Sequence, residues 1–92
     1  MRIRSIKPEF WESLDTAGMD YFTRLLYIGL WSYADDYGVA VDSPGLVQSK
    51  LFPNDGDDGD LSVRIHGALT ELSNGGQIVR YRGPDNLSLI HI

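Results

Sequence analysis

The stretch from Asp20 to Asp36, DYFTRLLYIGLWSYADD, restricts the fold more than any other part of the chain. A helical projection at about 100° per residue gives it two apolar faces. One face comprises Phe22, Leu25, Leu26, Gly29, Leu30 and Tyr33, and the other comprises Tyr27, Ile28 and Trp31. A helix that is apolar on two sides must be covered on two sides. We therefore expect a central helix that Asp20 caps at its N-terminus and that ends in a turn at Asp35, Asp36 and Gly38.

The segment before this helix is predicted to cover its second face. Pro8 suits the first turn of a short helix. The apolar side of that helix is expected to comprise Phe10, Trp11 and Leu14. We expect these side chains to pack against Tyr27 and Trp31. Residues 16–19 are predicted to form the connection to the central helix.

The segments after the central helix alternate between strand and helix patterns. Val39–Val41 predicts a short strand, and Asp42-Ser43-Pro44 is typical of a helix start. A two-turn helix is predicted to follow and to end at Pro53. A third helix is predicted from Leu61 to about Ser73, with Asp60 as its N-cap and a C-terminal cap at 74–76. Two strands, Gln77–Arg82 and Leu87–Ile92, are predicted around a turn at 83–86.

This order of elements is that of a winged helix, a helix-turn-helix variant with a C-terminal β-hairpin wing. The predicted fold class is therefore α+β, with three main helices and a short N-terminal helix. Residues 1–92 are long enough for one domain with a single core. Because the last predicted strand has no polar tail after it, we expect this domain to be the N-terminal part of a longer protein.

The charge is divided between basic and acidic segments. The formal net charge is −5, and a dedicated nucleic-acid-binding domain is usually basic. However, Arg2, Arg4 and Lys7 form a basic N-terminal arm, whereas the acids concentrate in the loop NDGDDGD at 54–60. An anionic partner therefore remains compatible with the sequence. Without cysteine, thiolate catalysis and Cys-type zinc sites are excluded.

Four segments resemble the N-terminal domain of phage-encoded replication proteins: MRIRSIKPEFW, RLLYIGLWSYADDYGV, KLFP and GQIVRY. These proteins are described as helix-turn-helix or replisome-organiser proteins, mostly from phages and prophages of actinobacteria. The resemblance covers nearly the whole chain. It implies a winged-helix fold, a role in phage DNA replication or its regulation, and a further C-terminal region through which replication proteins bind.

In a winged helix, the outward face of the third helix enters the major groove and the hairpin contacts phosphates. The third-helix candidates for DNA contact are Ser62, Arg64, His66, Thr70 and Asn74, with Ser73 on the same face. Arg80 and Arg82 lie on one side of their strand and are candidates for phosphate contact. The remaining candidates are Arg2, Arg4, Lys7 and Lys50. Each of these side chains has an alternative interpretation as an ordinary solvated surface residue.

Metal binding and catalysis find no support in the motifs. The acidic loop fails the EF-hand pattern in both registers, because neither register places glutamate at its twelfth position. No nucleophile elbow and no glycine-rich phosphate loop is present. We therefore predict a protein that is not an enzyme and has no cofactor or metal.

The predicted partner is double-stranded DNA, and the predicted location is the cytoplasm of a bacterial host cell. No apolar run is long enough for a membrane span. An alternative function is a protein-interaction module, for dimerisation or partner docking, without autonomous DNA binding. Exposure of Trp11, Tyr27 and Trp31 would favour that alternative. A homodimer formed through the last strand, as the outer strand of the hairpin, is a further hypothesis.

Overall fold

The structure is a computed structural model that describes residues 5–55 and 59–92. The predicted central helix is present and is the second longest helix among these residues. The described residues form five helices and a small antiparallel sheet of three strands, so the α+β class is confirmed. The elements are α1 Pro8–Glu12, α2 Leu14–Ala17, α3 Tyr21–Tyr33, β1 Val39–Val41, α4 Pro44–Leu51, α5 Gly59–Asn74, β2 Val79–Arg82, a 3₁₀ turn Pro84–Asn86 and β3 Ser88–His91.

Helix α3 begins and ends where its local sequence predicts. The Asp20 carboxylate accepts a hydrogen bond from the Thr23 N–H at 2.7 Å. That backbone hydrogen bond lowers the pKa of Asp20, because it stabilises the ionised carboxylate. After the helix, the Asp35 carboxylate accepts from the N–H groups of Tyr37 and Val39, both at 2.9 Å. Asp35 therefore organises the turn that leads from α3 into β1.

The core lies between α3, α4, α5 and the inner face of the sheet. Leu26 and Leu30 of α3 are completely buried there. Its other buried apolar residues are Met19, Val47, Phe52, Leu61, Ile65, Ala68, Leu69, Leu72, Ile78 and Ile90. The α5 members follow the predicted spacing of three and four, which confirms the predicted apolar face of that helix.

In the described part of the N-terminal segment, Phe10 packs against the second face of α3. The Phe10 ring lies 5.1 Å from the Trp31 ring and 6.1 Å from the Tyr27 ring, centroid to centroid. The expected roles of Trp11 and Leu14 are wrong, since they are 56% and 89% exposed. Ser13 causes the difference: its extended backbone ends α1, and its hydroxyl accepts from the Asp15 N–H to start α2. Half of the predicted connection, residues 16 and 17, is therefore helical, and residues 18 and 19 form the turn before α3.

Helix α5 begins earlier than predicted. Its first residue is Gly59, so Asp60 lies in the first turn instead of serving as the N-cap. An acid in the first turn still favours the helix through its dipole. The predicted C-terminal cap is confirmed. Gly76 adopts a φ of +83°, the Gln77 N–H donates to the Leu72 carbonyl, and the Gly76 N–H donates to the Ser73 carbonyl. This is the Schellman pattern, which favours glycine at the left-handed position.

The sheet has the strand order β1-β3-β2, and both pairings are antiparallel. In register, Ala40 and Arg80 lie on either side of Ile90. Strand β3 is therefore the centre of the sheet, and its predicted position as a free outer strand is wrong. A homodimer that pairs through an open β3 edge is excluded by this topology, whereas dimerisation through another surface stays a prediction.

The β2–β3 hairpin is confirmed, with strands shorter than predicted. Its turn places Asp85 and Asn86 at φ values of 58° and 59°. Aspartate and asparagine tolerate this left-handed region better than most residues. Across the base of the turn, the Gly83 N–H donates to the Leu87 carbonyl at 2.8 Å.

We expect stability to fall in alkaline solution, because the hydroxyl of Tyr33 donates a 3.0 Å hydrogen bond to the Val41 carbonyl. Burial raises the pKa of Tyr33, and the Asp42 charge adds to the effect. Burial also raises the pKa of Tyr27. A folded-state pKa above the unfolded value gives stability that is present below about pH 10 and is lost as the pH rises through the folded pKa.

Urea unfolding between pH 8 and 11 measures this loss. The Tyr27→Phe/Tyr33→Phe double variant is expected to lose less stability over the same range than the unsubstituted chain. Equal losses in both proteins would contradict the assignment to these phenols.

Candidate nucleic-acid interface

The outward face of α5 is the largest predicted part of the interface. His66 and Asn74 are exposed, and Ser62, Thr70 and Ser73 are half-buried. Between them, Gly67 leaves open space, because an added Cβ would have no neighbour within 4 Å. This face is therefore accessible and mainly uncharged. Val63, which is also exposed, adds an apolar side chain to it.

Arg64 lies at the edge of this face, as predicted. Its guanidinium carbon is 4.3 Å from the centroid of the Phe22 ring, and Phe22 stacks on Phe52 at 5.6 Å. Arg64 is also close enough to Asp20 to contribute to the lowered pKa of that carboxyl, although less than the Thr23 hydrogen bonds do. A cation–π contact at an exposed site contributes about 0.5–1 kcal/mol. The charge is thus positioned at the junction of α3 and α5.

Arg80 makes an ion pair that its sequence neighbours do not indicate. Its Nε and Nη2 donate to the two carboxylate oxygens of Asp42, at 2.7 and 3.1 Å. Its Nη1 donates to the Thr70 hydroxyl at 3.2 Å, and that hydroxyl donates to the His66 carbonyl at 3.0 Å. We call Asp42, Arg80 and Thr70 the clamp. The clamp joins β2 to α5 and to the segment between β1 and α4.

The clamp changes the expected roles of two candidate residues. The side chain of Arg80 is 22% exposed and that of Asp42 is 8% exposed. The Arg80 guanidinium is therefore not free, since the Asp42 carboxylate already neutralises it. Direct contact of Arg80 or Thr70 with DNA stays a prediction, while their shared hydrogen bond fixes the hairpin beside α5.

Arg82 differs from Arg80 in its surroundings. It is exposed, and in the described part of the chain its Nη1 donates a single long hydrogen bond, 3.5 Å, to the Asn86 carbonyl across the hairpin turn. This leaves the Arg82 charge available to solvent and to an anionic ligand.

The other basic candidates are dispersed. Lys50 is exposed in the last turn of α4. Lys7 precedes α1 and lines open grooves beside Trp31 and Ser5. Arg2 and Arg4 lie outside the described residues, as do Asp57 and Asp58 of the acidic loop.

Sequence reasoning missed two acidic residues that position the interface. Asp42 was part of a helix-start pattern, but Ser43 is the cap, since its hydroxyl accepts from the Leu46 N–H at 3.3 Å. Asp42 and Ser43 both offer a side-chain oxygen before Pro44, and one is enough to cap the helix. The second acceptor was the available signal that Asp42 has another role. Glu71 accepts from the Thr23 hydroxyl at 3.1 Å and so connects α5 to α3. No sequence pattern indicated that pair.

The described ranges hold no candidate for two other kinds of site, a metal centre and a membrane-spanning helix. No group of three or more histidine, cysteine, aspartate or glutamate side chains in residues 5–55 and 59–92 is arranged to hold a metal ion. In the same ranges, no helix has both the length and the apolar character needed to cross a membrane.

Comparisons of the chain with protein-family models, with curated proteins and with solved structures find no match. The resemblance to phage replication proteins therefore stays a prediction. The element order and the β1-β3-β2 sheet are compatible with a winged helix.

Proposed function

We propose that this domain binds double-stranded DNA as a winged helix, with α5 in the major groove and the β2–β3 hairpin against the phosphate backbone. The observation that carries the proposal is the accessible polar face of α5 beside a hairpin that the clamp holds in place. Three helices followed by a hairpin, with β1 completing the sheet, support the same assignment.

The proposed contacts divide into base reading and phosphate binding. Asn74 is suited to pair with adenine and Arg64 with guanine, and Ser62 and His66 supply further polar groups. Arg82 is proposed to bind phosphate. Arg80 and Thr70 are proposed mainly to orient the hairpin relative to α5, because the clamp engages both. The remaining proposed phosphate contacts are Arg2, Arg4, Lys7 and Lys50.

We further propose that the DNA target belongs to phage-type replication initiation or its regulation. This step rests on the sequence resemblance, and it includes replication proteins bound through a C-terminal region. A transcriptional regulator would have the same contacts and a different target sequence.

Fluorescence anisotropy with a labelled random duplex across a salt series tests DNA binding. We expect binding that weakens with salt. Arg82→Gln is expected to weaken it about three- to tenfold and to reduce the salt slope by about 1, as for one lost phosphate contact.

Leu14→Glu is the matched control, because it makes the same change in net charge at a side chain that lies outside the proposed interface. It should leave the affinity and the salt slope nearly unchanged. Absence of binding at low salt, or equal losses in both variants, would contradict the proposed interface.

A second candidate function is docking of another protein without DNA. The exposed apolar side chains of Trp11, Leu14, Tyr21 and Leu25, together with the net charge of −5, favour it. The half-buried positions of Tyr27 and Trp31 beneath Phe10 instead fit an ordinary core.

A further inference from the structure

The two edges of the sheet differ in how their backbone groups are paired. At the β1 edge, the Val39 N–H donates to the Asp35 carboxylate and the Val39 carbonyl accepts from the Asp35 N–H, both at 2.9 Å. The Val41 carbonyl accepts from the Tyr33 hydroxyl at 3.0 Å. The turn after α3 and the Tyr33 side chain therefore occupy the outer side of β1.

Within residues 5–55 and 59–92, the β2 edge is open. In an antiparallel pair of strands, every second residue directs its backbone N–H and C=O groups toward the partner strand. The Gly83 N–H bonds to the Leu87 carbonyl, so Tyr81 and Val79, two and four residues earlier, also direct these groups toward β3. The backbone N–H and C=O groups of Arg80 and Arg82 consequently point away from the sheet. Among the described residues, none makes a hydrogen bond to these groups. A row of unpaired backbone groups is a template for an additional strand.

The side chains along β2 alternate in chemistry as well as in direction. Val79 and Tyr81 lie on the outer face of the sheet, 56% and 40% exposed. Arg80 and Arg82 lie on the opposite face, which is shared with the buried Ile90. Asp42 neutralises Arg80, whereas the one hydrogen bond of the Arg82 guanidinium to a described residue is the 3.5 Å contact with the Asn86 carbonyl.

We propose that the β2 edge binds an extended segment of a partner protein as a fourth strand, and that this segment alternates apolar and acidic residues. Its backbone would pair with Arg80 and Arg82. Its apolar side chains would lie beside Val79 and Tyr81, and an acidic side chain would lie beside Arg82, because directly opposed residues of paired strands share a face.

A second copy of this chain is a poorer occupant of the same edge. Two copies could pair antiparallel through β2, with the core faces of both sheets on the same side. Arg80 of one copy would then lie opposite Arg80 or Arg82 of the other. Like charges directly opposite each other in a sheet are destabilising. The acidic partner removes this repulsion. This inference does not depend on DNA binding.

The probe is a synthetic acetylated and amidated peptide, Glu-Val-Glu-Val-Glu-Val-Glu, titrated into the domain without DNA. We expect saturable binding by calorimetry and shifts of the backbone amide NMR signals of Arg80 and Arg82. Two N-methylated forms of the peptide distinguish strand pairing from other contacts. In each form, the amides along one edge of the extended peptide are methylated and cannot donate hydrogen bonds. One form should retain binding and the other should lose it.

Substitutions on the protein test the partner's chemistry. Arg82→Glu is expected to lower the affinity for the peptide by about tenfold or more, and Val79→Lys is expected to lower that affinity as well. Tyr37→Lys is the control, since the Tyr37 side chain is 83% exposed in the turn before β1, at the opposite edge of the sheet, and it should leave the affinity unchanged. Absence of saturable binding, equal effects of the two N-methylated peptides, or equal effects of Tyr37→Lys and Arg82→Glu would each overturn the proposal.

Discussion

Arg80→Ala is expected to lower the free energy of unfolding by about 2–4 kcal/mol. The substitution removes both hydrogen bonds to the Asp42 carboxylate and the one to the Thr70 hydroxyl. It leaves the Asp42 side chain, which is 8% exposed, as a charge without its partner. Loss of one partner from a fully buried pair costs about 3–5 kcal/mol, and the partial exposure of Arg80 places the expected cost somewhat lower.

Urea denaturation monitored by circular dichroism measures this loss. The double variant Asp42→Leu/Arg80→Met is the informative control, because it removes both charges and keeps apolar volume. It is expected to recover most of the lost stability. A cost below about 0.5 kcal/mol for Arg80→Ala would show that the clamp is no more than an ordinary surface ion pair.

Leu26→Ala is expected to cost about 2–5 kcal/mol, whereas Leu25→Ala is expected to cost less than about 1 kcal/mol. The two leucines are neighbours in α3, so the small change in helix propensity on replacement by alanine is the same at each site. They differ in burial: Leu26 is 0% exposed in the core, and Leu25 is 57% exposed. The difference in cost therefore reports the burial of one side chain and the cavity that its removal leaves.

Urea midpoints of the two variants at constant denaturant slope give the comparison. Similar costs at the two positions would mean that Leu25 is covered in solution, for example by a partner or a second copy. That outcome would bring the apolar side of α3 into the functional site.

The local signals in the sequence predicted most of the helix and strand positions. Asp20 identified the start of α3, and Pro44 placed the start of α4. These features depend on a few neighbouring residues, which a single sequence displays directly. Burial was harder to predict. The projection placed Leu25 on the same face as Leu26, but how much of that face is covered depends on the docking of α4 and α5, which the helical period does not specify.

The same distinction between local and distant contacts applies to the candidate site. The exposure of His66 and Asn74 followed from the period of α5. The pairing of Arg80 with Asp42 joins residues 38 positions apart, and no local rule connects them. The central position of β3 likewise depends on which distant strands pair, so the strand itself was predicted and its neighbours were not.

The position of β3 has a consequence for folding during synthesis. Strand β3 follows every other described element in sequence, yet both β1 and β2 hydrogen-bond to it, and Ala40 pairs with Ile90. While a ribosome is still making the chain, β1 has no strand to pair with until the final strand emerges from the exit tunnel. Helices α3, α4 and α5 all precede β3 in sequence and can pack before it is made, whereas closure of the sheet must wait for β3. Until then, we expect β1 to be unpaired in the nascent chain, and an unpaired strand is prone to associate with other chains.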